Sequence, residues 1–143
     1  MFPRTVDDAK KYLEPSMGVK TLIEFDIYHK VDEKVIGWIG IKDIMWSHRC
    51  AEIFYIIGDR DYWGRGLATE AVILILKYAF LELNLHKIKA LALAPNTASN
   101  RILQKLGFSL EGTFKEEGYI DGKYYDLKHY GLLKAEWLNR AVE

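Results

Sequence analysis

Residues 62 to 71 read Tyr-Trp-Gly-Arg-Gly-Leu-Ala-Thr-Glu-Ala. Two glycines one residue apart stand just before a run of helical character, which is the pattern of an anion cradle. The first turn of a helix carries unpaired backbone N–H groups and a partial positive charge. Gly64 and Gly66 have no side chains, so a phosphate can come close to their backbone. Leu67, Ala68 and Thr69 supply further amides, and Arg65 can add a charge-assisted contact to an outer phosphate. Other phosphate motifs fit less well. The GxxxxGK(S/T) loop is absent, and a dinucleotide fingerprint needs Gly or Ala where Thr69 stands. A Gly-x-Gly pair alone also serves as a plain tight turn.

Further chemistry is sparse. His29, His48, His86 and His129 show neither HxxxH nor HExxH spacing, so no metal site is expected. No GxSxG elbow is present, and Cys50, the only cysteine, reads as a strand-edge residue of the core. With one cysteine there is no internal disulfide, and a reduced cytoplasmic setting is the expectation.

The elements that must position the turn follow from periodicity. Thr5–Glu14 reads as a short helix, capped by Thr5 and stopped by Pro15. Thr21–Tyr28 alternates apolar and polar residues, as a half-buried strand does. Val35–Ile44 and Ala51–Ile57 extend it into an antiparallel meander. Leu67–Leu83 then reads as a helix packed over the sheet, with Glu70 and Lys77 on a narrow solvent stripe. Lys87–Leu93 is a strand and Asn96–Leu106 a helix, with Gly107 at the left-handed C-terminal position. Phe108–Phe114 is a strand. Asp121-Gly122 signals a hairpin, followed by a strand over Asp126–Leu133 and a helical turn over Ala135–Arg140. The order predicts one mixed α/β domain over residues 1–143.

Composition narrows the class of partner. Lys+Arg and Asp+Glu are equal at 20 each, so no global charge points to nucleic acid or an anionic membrane. No apolar run is long enough to span a bilayer, and Asp7, Asp8, Lys10 and Lys11 interrupt any secretory signal.

The helix opened by Asn96-Thr97-Ala98-Ser99-Asn100 and closed by Lys105-Leu106-Gly107-Phe108 makes the pattern specific. Together with residues 62–71 it resembles the two cofactor motifs of the GCN5-related N-acetyltransferase (GNAT) superfamily. The terminal Tyr119-Ile120-Asp121-Gly122-Lys123-Tyr124-Tyr125-Asp126 and Tyr130-Gly131-Leu132-Leu133 resemble its branch that acetylates ribosomal-protein N-termini, the RimJ/RimL-like branch. The resemblance runs from about Thr5 to Trp137. It implies a central, mostly antiparallel sheet with a V-shaped splay between two strands and helices on both faces. Relatives usually carry a further strand and helix before the segment matching Thr5–Glu14, so the first strand of the family is expected to be missing.

The resemblance also implies acetyl-CoA as cofactor. Its pyrophosphate signature falls on Trp63-Gly64-Arg65-Gly66-Leu67-Ala68, with Trp63 where the family has Gln or Arg. Asn96 matches an asparagine near the pantetheine or acetyl end, and is also a natural helix N-cap. Asn100 and Lys105 are candidates near the phosphate end, or a solvated helix face. Main-chain N–H groups at Ile56 or Ile57 are candidates for the oxyanion. Many relatives place an acidic tyrosine where this chain has Leu103. The branch suggests Ser99 instead, which otherwise reads as a first-turn serine. Glu52, Glu116 and Glu117 are candidate bases, each of which also reads as a surface carboxylate. The expected reaction is acetyl transfer to a primary amine, such as a protein N-terminus. A polyamine or aminoglycoside, and a non-catalytic acyl-CoA-binding module, are the alternatives. The terminal hairpin is the element a homodimer would use.

Overall fold

The computed structural model describes residues 20–141, so the expected helix Thr5–Glu14 lies outside the described residues. Three strands come first: β1 (Ile23–His29), β2 (Lys34–Met45) and β3 (Cys50–Ile57). Helix α1 (Leu67–Lys77) follows, then β4 (Lys87–Leu93), α2 (Thr97–Lys105), β5 (Ser109–Ile120), β6 (Lys123–Leu133) and α3 (Lys134–Ala141). The six strands form one sheet in the order β1-β2-β3-β4-β6-β5.

Every neighbouring pair is antiparallel except β3 and β4. A parallel pair needs a long crossover, and α1 provides it. The β3–β4 ladder covers only Cys50↔Lys87, Ala51↔Ile88 and Glu52↔Lys89. Beyond Glu52 and Lys89 the two strands no longer pair, so the sheet forks. One arm is Ile53–Ile57 and the other Ala90–Leu93. This is the mixed α/β sheet with a splay that the sequence resemblance implies.

The core lies on one face of the sheet. Ile39 and Ile41 of β2, Ala51 and Ile53 of β3, Ile88 and Ala90 of β4, and Tyr130 and Leu132 of β6 point into it. Val72, Ile75 and Leu76 of α1 and Leu103 of α2 close it, and Trp137 of α3 stacks on Phe80. The three described helices therefore share one face.

Several elements differ in extent from expectation. The helix expected to run to Leu83 widens at Tyr78–Glu82 into a π-helical turn, where the Leu83 N–H donates to the Tyr78 carbonyl at 3.0 Å. The turn buries Ala79 and Phe80 completely. The solvent stripe of α1 is broader than expected, since Ile73 and Leu74 are also exposed. Strand β5 runs six residues past Phe114. Its pairing with β6 is interrupted between Phe114 and Gly118 by a bulge in which Glu116 takes a φ of 54°. A bulge lets a strand continue after its alternation breaks, so the pattern alone ended it early.

Candidate active site

The glycine turn joins the end of β3 to α1. Gly64 and Gly66 have φ values of 70° and 76°. Glycine takes such angles without steric cost. A Cβ on either would meet nothing within 4 Å, so both backbones face open space. Gly66 is the N-cap of α1, and no side chain caps the helix. The first-turn amides of Leu67, Ala68 and Thr69 thus remain available to a ligand. Such a site fits the pyrophosphate of a nucleotide-bearing cofactor.

Trp63, which stands where the family signature has Gln or Arg, has a different task. Its indole Nε1–H donates to the Ile57 carbonyl at 2.7 Å, fastening the turn to the end of β3. The Arg60 guanidinium lies 5.6 Å over its ring. Arg65 stacks on the ring of Tyr62, 4.9 Å from its centroid. Tyr62 is buried and donates to Asp32 in the turn between β1 and β2. That phenol, then burial working against it and the charge of His29 helping it, hold the Asp32 carboxyl below its ordinary value. Lys34 pairs with Asp59 at 2.8 Å on the same side. The β1–β2 turn therefore braces the glycine turn from behind.

The fork exposes main-chain groups. The Gly58 N–H donates to the Ile36 carbonyl of β2. Backbone direction alternates along a strand, so Ile56 also turns its N–H to β2. Ile57 and Tyr55 turn theirs into the fork. Of the two oxyanion candidates, only Ile57 is oriented towards the opening. On the other arm, the Ala94 N–H donates to the Asp126 carbonyl of β6, which by the same alternation leaves Leu91 facing the fork.

Helix α2 begins beside the second arm. Asn96 is its N-cap, accepting from the Ser99 N–H at 3.1 Å. Asn100 is buried and fully engaged. Its Nδ2 donates to the Leu93 and Asn96 carbonyls at 3.0 and 2.7 Å, and its Oδ1 accepts from the Tyr130 hydroxyl. It holds the β4–α2 turn closed and leaves no polar group for a ligand. Lys105 is exposed in the last turn of α2, six residues and about 9 Å along the axis from Ser99. Leu103 is fully buried in the core. Ser99 Oγ stands 2.8 Å from the Tyr55 hydroxyl of β3.

The candidate bases lie across the sheet from Ser99. Glu52 is at the crotch of the fork, on the face opposite the core, paired with Lys42 at 2.9 Å. Glu117 is in the β5 bulge, its Oε1 3.7 Å from His129 Nε2. That nitrogen is buried without a hydrogen-bond partner, and the ring stacks on Phe114. Glu116 donates its N–H to Asp126 at 3.0 Å at the edge of the bulge. The structure thus brings together the glycine turn, Ile57 and Ser99 around the fork, with Glu52 at its base and Glu117 two strands away. Among the described residues no group of three or more His, Cys, Asp or Glu could hold a metal ion. No described helix is long and apolar enough to cross a membrane.

Sequence reasoning missed Tyr55 and Asp32, and weighed His129 only as a metal ligand. Tyr55 carried a signal: it interrupts the buried stripe of Ala51, Ile53 and Ile57 with a hydroxyl.

A forked sheet with an uncapped helix behind a glycine turn defines a family. The model of the acetyltransferase (GNAT) domain matches residues 1–109, and the chain belongs to that family. Relatives include the uncharacterised N-acetyltransferase YoaA of Bacillus subtilis, 36% identical over 112 residues, 78% of this chain and 63% of that one. Spermidine N(1)-acetyltransferase of Escherichia coli K12 is 40% identical over 107 residues, 75% of this chain and 57% of its own. Among solved structures, the spermidine/spermine N-acetyltransferase SpeG of Vibrio cholerae, in complex with manganese ions, superposes with a TM-score of 0.80. It is 28% identical, over 96% of this chain and 79% of the other. The matched segment thus spans less than two thirds of these curated relatives' length.

Proposed function

We propose that the chain carries an N-acetyltransferase moving the acetyl group of acetyl-CoA to a primary amine, small and cationic. The observation that carries this reading is the fork itself: unpaired main chain on two arms, with uncapped helix amides at one end. The amides of Gly66 to Thr69 would hold the pyrophosphate, and the Ile57 N–H would face the carbonyl oxygen that becomes negative in the tetrahedral state. Ser99 is the proton donor to the departing sulfur. Glu52 or Glu117, through water, takes the proton of the amine from the face opposite the core. The amine attacks as the neutral base, although a free alkylamine is mostly protonated at neutral pH.

Two observations favour a small cationic acceptor over the protein N-terminus that the branch resemblance implies. Several relatives are named for spermidine. On the face opposite the core, Glu24 and Asp26 of β1 stand beside Trp38, which is 48% exposed. Carboxylates beside an aromatic face suit an ammonium group. A cytoplasmic setting belongs to the same reading. So does assembly of copies through the β5–β6 hairpin, whose tip carries the exposed, stacked pair Tyr119 and Tyr124.

The test is thiol release from acetyl-CoA against spermidine, an aminoglycoside and a set of short peptides. Release with spermidine and not with peptides is expected. Release with peptides alone restores the N-terminal acceptor. Cofactor binding with no release for any amine makes the chain a non-catalytic acyl-CoA binder.

A further inference from the structure

Tyr55 and Ser99 are 44 residues apart in sequence, yet their hydroxyl oxygens are 2.8 Å apart. Tyr55 belongs to one arm of the fork, and Ser99 sits in the first turn of the helix that follows the other. Their bond bridges the arms beyond the last β3–β4 pair, at Glu52 and Lys89. The β4 arm, Ala90 to Leu93, consists of alanine and leucine and has no side-chain proton to give. Leu103, one turn on from Ser99, adds none, and the carboxamide of Asn100 is already engaged. At this end of the fork the protic pair is Ser99 with Tyr55 behind it.

We propose that Tyr55 is a positioning residue for thiol departure, its phenol donating to Ser99 Oγ so that the serine hydrogen points into the fork. This rests on the acetyl-transfer reading above. In the step, the amine nitrogen bonds to the acetyl carbon and the carbon–sulfur bond breaks. Sulfur takes the Ser99 proton, Ser99 takes the phenol proton, and the phenolate regains one from water. The amine's proton leaves on the side of Glu52 and Glu117, so the sum is amine plus thioester to amide plus thiol. Burial raises the Tyr55 phenol above its ordinary value, and the bond to Ser99 opposes that rise. Its surroundings in the core cluster are apolar, with Ile39 directly opposite on β2.

The test compares Tyr55→Phe, Ser99→Ala and the double variant with the wild type, each checked by thermal melting. For Tyr55→Phe, kcat with acetyl-CoA should fall about ten- to a hundredfold while KM for acetyl-CoA stays within about twofold. With an acetyl thioester of an acidic aromatic thiol, which leaves without an acid, Tyr55→Phe should match the wild type. The double variant should be no slower than Ser99→Ala alone. A second readout needs no turnover: ultraviolet titration, with Tyr55→Phe as the blank, should show the Tyr55 phenol moving further up in Ser99→Ala. Equal kcat for wild type and Tyr55→Phe overturns the proposal, as does an equal loss with both thioesters. If Tyr55→Phe does not fold, wild type and Ser99→Ala are titrated directly against each other, and identical curves overturn it. A wild type that releases no thiol with any amine removes the acetyl-transfer reading, and this proposal with it.

Discussion

Helices α1 and α2 both start beside the fork, each after one of its arms, and their first turns are finished differently. Helix α2 satisfies itself: Asn96 accepts from the Ser99 amide, and Asn100 ties the preceding carbonyls. Helix α1 begins at a glycine in the left-handed region with no side chain over its amides. A self-capped end gains stability, and an uncapped one keeps its donors for something else. In this chain the capped end fixes the position of a hydroxyl, and the open end has no side-chain cap over its amides.

Substitutions can break that contrast. The largest effect is expected from Gly66→Val, which puts a branched side chain at a φ of 76° in the path of the phosphate. Affinity for coenzyme A, measured by calorimetry, should fall on the order of a hundredfold, far more than the melting temperature suggests. Unchanged affinity would remove α1 from the cofactor site. Trp63→Phe keeps a ring but loses the bond to the Ile57 carbonyl. A bond of this kind contributes about 1 kcal/mol, so affinity should weaken severalfold. An effect confined to stability would show the indole to be only a fold contact.

Asn96→Ala should do the reverse. Loss of the cap costs about 1 kcal/mol of stability, visible as a melting point a few degrees lower, while coenzyme A affinity stays within about twofold. A large affinity loss would give Asn96 a ligand contact besides its cap. The smallest effect concerns the brace. Asp32 is held below its ordinary value, so its contribution is present at neutral pH and disappears as pH falls through that lowered value. Asp32→Asn should weaken cofactor binding slightly at neutral pH and flatten its acid limb. An acid limb identical to that of the wild type would show that the brace does not reach the turn.

Much of this was legible in the sequence, for reasons that are local. Strand β4 alternates cleanly over Lys87–Leu93, and Asp121-Gly122 sits in the hairpin turn it signals. Gly64 and Gly66 declared their backbone angles by being glycine. What was not legible depends on distant partners. Trp63 reads as a departure from the family signature until the Ile57 carbonyl is found beside its indole. Tyr55 is one residue within the Ala51–Ile57 strand until a serine 44 residues later meets it. The direction of the Ile56 and Ile57 amides depends on which carbonyl of β2 the Gly58 N–H finds. The bulge at Glu116 needs an angle that sequence does not signal for glutamate.

The three residue pairs between β3 and β4 make the sheet a pair of tongs, pivoted at Cys50 to Glu52 and latched across the jaws by Tyr55 and Ser99. Whatever lies between the jaws becomes a rung of the ladder and stiffens it. On the proposed reading, occupancy is linked to rigidity: a bound thioester should raise the melting temperature by mass action and slow amide exchange at Tyr55, Ile57 and Leu91 together. Release of the thiol product of the proposed reaction should loosen the same grip.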